Sequence, residues 1–229
     1  MNLKLQKNNR LFYGKWPYKV ECVIYGAGAI RYLGAESALE WCNGGAVTVP
    51  RWTNLTGVDK PDLAAFIYAG MEFIEDQENF KCRAEGRHFN LFCKDQQDFE
   101  KIKSKLKRWI LECYGPRNKE ELDFMLNNNK KILCDSLPYE DFLYKVVIKE
   151  RLKIDARKKF IDWANKQGSE KIKFTGWNSR YWFEGARHYV QNPFFYVKDL
   201  KTMSMVSLFL GDGIKAIHEY VVRDTLVCL

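Results

Sequence analysis

Two stretches of this chain open on nearly the same string and pass the same landmarks in the same order, which leaves few folds open. Tyr18-Lys19-Val20-Glu21-Cys22-Val23-Ile24 and Tyr144-Lys145-Val146-Val147-Ile148-Lys149 both read as short strands. A helical stretch follows each. In the first half it is Pro61–Phe73, with a proline suited to a first turn. In the second it is Asp155–Gln167, capped by Asp155 and stopped at Gly168. Then Glu85-Gly86-Arg87-His88-Phe89 answers Glu184-Gly185-Ala186-Arg187-His188-Tyr189, with one residue inserted. Last, Phe92-Cys93-Lys94-Asp95 answers Tyr196-Val197-Lys198-Asp199, and both lead into a long helix.

Each half therefore reads β-α-β-β-α, with the Glu-Gly landmark bending a hairpin and Lys-Asp ending a strand at a helix cap. The expected class is α+β: two related ferredoxin-like halves, each an antiparallel or mixed sheet with helices on one face. The halves span 1–117 and 139–229, joined by a connector at 118–138 whose break falls at Asn127-Asn128-Asn129. Only the first carries an insertion, at about 34–60, with a short helical run at Glu36–Asn43.

The last helix of each half differs. In the first, Phe99, Ile102, Leu106, Trp109, Ile110 and Cys113 make one apolar stripe, with Lys101, Lys105 and Arg108 opposite. In the second, Met203, Val206, Leu208, Phe209 and Leu210 are apolar almost all round, which predicts a mostly buried helix at the junction of the halves. Gly211-Asp212-Gly213 predicts a break before the pattern resumes at Ile214.

Composition narrows the partners. Lys and Arg total 37 against 29 Asp and Glu, a net charge of +8 that favours polyanions. No apolar run approaches the length of a membrane span, and the first residues lack a signal peptide's apolar core, so the expectation is a cytoplasmic protein with no membrane partner. Seven cysteines with no C-x-x-C pair read as small buried hydrophobes, not as a zinc site or disulfide framework.

Tyr25-Gly26-Ala27-Gly28-Ala29-Ile30-Arg31 follows a strand, but Arg31 stands where a dinucleotide fingerprint needs a small residue. The glycines then shape a strand end or bulge, and Arg31 is left to contact a nucleic-acid phosphate. No cofactor or metal is implied. Basic and aromatic residues interleave in Lys171–Tyr196 and before Glu21, a composition that can stack unpaired bases and hold phosphates. The binding candidates are Lys15, Arg31, Arg87, Lys101, Lys105, Arg108, Lys173, Trp177, Arg180, Tyr181, Arg187 and Tyr189, and the expected partner is RNA or single-stranded DNA.

Two alternatives accompany this reading. A metal-independent RNA endonuclease would use His88 or His188 as general acid or base beside Glu85 or Glu184. An assembly protein of a virus or mobile element would neutralise packaged nucleic acid and form a homo-oligomer, which an aromatic content of 15% suits. Duplicated ferredoxin-like halves with a basic surface and a histidine resemble, in architecture alone, the CRISPR RNA-processing endonucleases. That family's pattern includes a glycine-rich loop near the C-terminus, and Gly211-Asp212-Gly213 is too short to match it.

Overall fold

The structure, a computed structural model, describes residues 5–49, 55, 57–175, 177–187 and 189–228. The chain divides into two units, Met1–Asn127 and Asn128–Leu229. In the first, β1 (Leu5–Lys7) is followed by β2 (Tyr18–Val23), whose alternation buries Tyr18, Val20 and Cys22 and leaves Lys19, Glu21 and Val23 on the other face. Gly26 then turns the chain into α1 (Ala27–Leu33). Its φ is +91°, and a Cβ there would lie 2.7 Å from Val58 Cγ1, so only glycine fits. The glycine-rich segment thus opens a helix instead of ending a strand.

Next come α2 (Ala35–Cys42) and α3 (Lys60–Glu75). Asp59 caps α3, accepting from the Asp62 N–H at 3.1 Å, and Pro61 lies in its first turn. The hairpin β3 (Phe80–Glu85) and β4 (His88–Cys93) turns on Gly86, at φ +60°, as the landmark predicts. The helix α4 (Gln96–Lys105), the strand β5 (Ile110–Gly115) and the helix α5 (Lys119–Asn127) complete the unit. Strand order is β1-β5-β2-β4-β3. Without the edge strand β1 this is the ferredoxin-like order, with β4 between β2 and β3. Phe66, Phe73, Phe99 and Ile102 of α3 and α4 pack against Val20, Phe89 and Leu91 on one face of the sheet.

The second unit repeats the plan with β6 (Lys131–Cys134), β7 (Tyr144–Ile148), α6 (Ile154–Gln167), β8 (Ile172–Phe174), α7 (Trp177–Phe183), β9 (Phe194–Val197), α8 (Leu200–Leu210) and β10 (Ile214–Val222). Its order, β6-β10-β7-β9-β8, is the same one. Register agrees residue for residue: Tyr18 faces Cys93 as Tyr144 faces Val197, and Lys19 faces Tyr114 as Lys145 faces His218. The Lys-Asp landmark is equivalent as well. Asp95 and Asp199 cap α4 and α8, each accepting from the backbone N–H three residues on at 2.8 Å.

Five expectations are corrected. Each unit has two more strands than β-α-β-β-α: an edge strand, and a final strand where the helix was expected to continue. In the first unit the apolar stripe fits a helix only to Leu106; Ile110–Gly115 then alternate and pair antiparallel with β2. In the second, Ile214–Val222 do the same against β7. The Glu184 landmark bends no hairpin, because α7 intervenes between β8 and β9 and buries Trp182 and Phe183 completely. Asp155 lies inside the first turn of α6, and Lys153 occupies the cap position. Finally, α8 buries only Thr202, Met203, Val206 and Leu210. Leu208 is 80% exposed and Phe209 47%, so this is a one-sided helix with an apolar outer face. The segment 118–138 holds α5 and β6.

Candidate nucleic-acid interface

In the first unit α1–α4, and in the second α6–α8, pack on one face of the sheet, and the side chains of the other face fall into rungs set by register. In the first unit one rung reads Lys81, Phe92, Lys19, Tyr114 and Gln6. The matching rung of the second reads Lys173, Tyr196, Lys145 and His218. A lysine, an aromatic ring, a lysine and a second ring recur in order. The next rung differs. It holds Arg83, Asn90, Glu21 and Glu112 in the first unit, but Phe194, Val147 and Ala216 in the second.

The difference sets the electrostatics of the two faces. Glu21 accepts from Lys19 at 2.6 Å and lies 2.8 Å from His88 Nδ1. Burial alone would raise the Glu21 carboxyl, but Lys19 and His88 outweigh it and hold the pKa below its ordinary value. Tyr114 donates to Glu112, which pushes its hydroxyl up to about 12. The cations of this face are thus largely matched by carboxylates. On the second unit's face none of the strand residues in either rung is acidic. Lys145 lies 4.0 Å from the centre of the Phe194 ring, and Phe194, Tyr196 and Tyr220 form an edge-and-tilt chain with centres 5.8 and 6.0 Å apart.

A loop residue completes each face. Tyr139, half-exposed, stands edge-on to Tyr196 at 5.6 Å, with Lys173 Nζ 4.2 Å from its ring centre. Tyr13, also half-exposed, stands edge-on to Phe92 at 5.1 Å, with Lys81 4.8 Å from its ring centre. Neither Tyr139 nor Lys81 is among the candidates named from sequence. A signal was there to find: Tyr13-x-x-Trp16-x-Tyr18-Lys19-Val20 matches Tyr139-x-x-Phe142-x-Tyr144-Lys145-Val146.

The sequence candidates fare unequally. Lys173 belongs to the second unit's face, and Lys15 lies 5.0 Å from the Trp16 ring centre. Lys101 and Lys105 both bind Glu72 of α3, at 3.2 and 3.0 Å, and Arg108 binds Asp62 at 2.9 Å. That basic row is partnered within its own helical layer. Arg31 reaches the Ala84 carbonyl at 3.4 Å and Arg87 the Tyr25 hydroxyl at 3.4 Å. Arg180 pairs with Glu184 one helical turn on, at 3.0 Å. Tyr189 is exposed, and Glu150 beside it raises its hydroxyl pKa. Tyr181 is half-buried on α7, and the Arg187 carbonyl accepts from the buried Arg157 at 3.3 Å. The side chain of Trp177 and the whole of His188 lie outside the described residues.

Of the catalytic candidates, His88 faces Glu85 across the hairpin but bonds Glu21, while Glu85 is held by Arg83. Glu184 is taken by Arg180, so the structure does not bring the expected Glu85–His88 side-chain pair together. Glu21 is the carboxylate that sequence reasoning missed, because it lies on a strand that only the fold places beside β4. Among the described residues no group of three or more His, Cys, Asp or Glu side chains is placed to hold a metal ion, and no helix is long and apolar enough to cross a membrane. No family model, curated protein or solved structure matches this chain.

Proposed function

We propose that this protein binds single-stranded nucleic acid, with Tyr139, Lys145, Lys173, Phe194 and Tyr196 of the second unit as its platform. One observation carries the reading: a sheet face whose paired positions hold rings and lysines and no acid, flanked by a half-exposed tyrosine with an ammonium over it. Rings stack on bases of any sequence, and lysines hold the phosphates between them. The net charge of +8 adds a general attraction for a polyanion.

The test is a titration of a labelled single-stranded oligonucleotide at several salt concentrations. Affinity falls as salt rises, because each neutralised phosphate releases counterions. Tyr196→Leu keeps the bulk and removes the stacking surface, with an expected loss of about tenfold or more. No binding at low salt, or affinity indifferent to salt, would sink the proposal.

A second reading, RNA cleavage without a metal, draws on the Glu21–His88 contact. A carboxylate on Nδ1 fixes the tautomer and leaves the other nitrogen as the one that could exchange a proton with a substrate. Labelled RNA that stays intact through long incubation with the protein and a chelator would count against it.

A further inference from the structure

The loop that presents Tyr139 in the second unit has a counterpart in the first, and the match extends to its strained backbone. Tyr13 and Gly14 have φ of +53° and +69°; Tyr139 and Glu140 have +52° and +75°. In both loops the residue before the tyrosine accepts a backbone bond from four residues on, Trp16 to Phe12 at 3.0 Å and Phe142 to Pro138 at 3.1 Å. Trp16 and Phe142, so placed, are buried. A bulky side chain at positive φ is disfavoured, and such conformations persist where the surrounding structure over-determines them. Here the same conformation occurs twice. Each time it holds a tyrosine ring half out in water, against a strand aromatic and under a lysine. A ring needed only for the core would be buried.

The surroundings of Tyr13 suit a nucleotide. A cavity of about 430 Å³ beside it is lined by Tyr13, Lys15, Trp16, Phe80 and Lys81. Lys15 and Lys94 lie 5.0 and 5.5 Å from the Trp16 ring centre, and Lys81 lies over Tyr13. Among the described residues none of these three lysines forms an ion pair. Lys101 and Lys105 of the same unit, by contrast, are both committed to Glu72. Lys94 donates to the Glu78 carbonyl at 3.2 Å, which leaves Lys15 and Lys81 as two uncommitted ammonium groups lining the cavity beside the exposed Tyr13 ring, a setting that fits a phosphate joined to a flat, stackable base.

We infer that the first unit carries a second nucleotide-binding site at Tyr13, Lys15 and Lys81, so that each unit offers an equivalent seat for single-stranded nucleic acid. This rests on the function proposed for the second unit. It adds a site in a face whose neighbouring rung, with Glu21 and Glu112, would otherwise argue against a polyanion.

The experiment uses the full chain and a labelled oligouridylate too short for more than one seat. Asparagine tolerates positive φ, so Tyr13→Asn and Tyr139→Asn remove the rings with least strain; Lys81→Gln removes a cation from a strand position that any residue can occupy. Thermal melts check that each variant is folded. The short strand binds at one site per unit, and either asparagine variant halves the stoichiometry. Tyr13→Asn and Lys81→Gln binding like the unchanged protein, while Tyr139→Asn loses binding, would overturn the second site and leave the proposed function standing. No binding by the unchanged protein would overturn both. Competition by a nucleoside monophosphate as strong as by the short strand would assign the Tyr13 cavity to free nucleotide and overturn the two-seat reading.

Discussion

The helices α4 and α8 begin at equivalent aspartates and bury equivalent positions: Phe99 and Ile102, with Leu106 at the C-cap, in one, and Met203, Val206 and Leu210 in the other. Their outer faces diverge. Where α4 has Lys105, bonded to Glu72 of α3, α8 has Phe209, stacked on Trp163 of α6 with centres 4.7 Å apart. The sheets show the same split, with one matched rung of lysines and rings and one rung that is charged in the first unit and apolar in the second. Core geometry thus tolerates little change on the buried side. On the side facing water, one backbone supports ion pairs in one copy and ring contacts in the other.

Removing a core ring tests the shared part. Phe195 is fully buried among Phe160, Phe174 and Phe183. Phe195→Ala should cost about 3–5 kcal/mol in denaturant unfolding. A cost below about 1 kcal/mol would mean the second unit's core is not packed as described.

Phe209→Ala sharpens the divergent part. A fully buried helix would lose as much there as at Phe195, but a half-exposed ring stacked on one partner should lose only about 1–2 kcal/mol. A loss matching that of Phe195→Ala would restore the expectation of a buried α8.

Acid separates the two faces. The Glu21 carboxyl has a lowered pKa in the folded chain, so it binds fewer protons there than when unfolded. Its contribution is present above the unfolded carboxylate value of ~4.3 and is lost as pH falls through the folded value. Val147 occupies the equivalent place in the second unit and carries no charge. Glu21→Gln should therefore flatten the acid limb of the stability curve, read by thermal melts from neutral pH down to ~3. Val147→Ala should leave the slope of that limb unchanged. An unaltered limb in Glu21→Gln would mean the Lys19–Glu21–His88 cluster is not formed.

Lys105→Gln should change least. Its ion pair with Glu72 is exposed on both sides, and such pairs contribute at most about 1 kcal/mol. Unfolding should show a change within about 0.5 kcal/mol.

The repeated strings at Tyr18 and Tyr144, and the Lys-Asp strings at Asp95 and Asp199, were sound guides because they encode local physics. Alternation makes a strand, and an aspartate before a free N–H makes a cap. The Glu-Gly string misled in the second half, where the following aromatics, Trp182 and Phe183, belong to a helix that fills the core. The stripe Phe99–Cys113 misled at its end, since a period of 3.6 and a period of 2 share several positions over so short a run.

From the sequence alone come the class, the duplication, the caps at Asp95 and Asp199 and the positive charge, all set by neighbouring residues or by composition. Tertiary structure decided the rest. Which carboxylate His88 meets, which lysines are matched by acids, and which rings share a rung with them depend on strand order and register. Residues as far apart in the chain as Glu21 and His88, or Tyr139 and Tyr196, become neighbours only when the sheets form. A side chain's partner across a sheet is set by register, and no local pattern carries it.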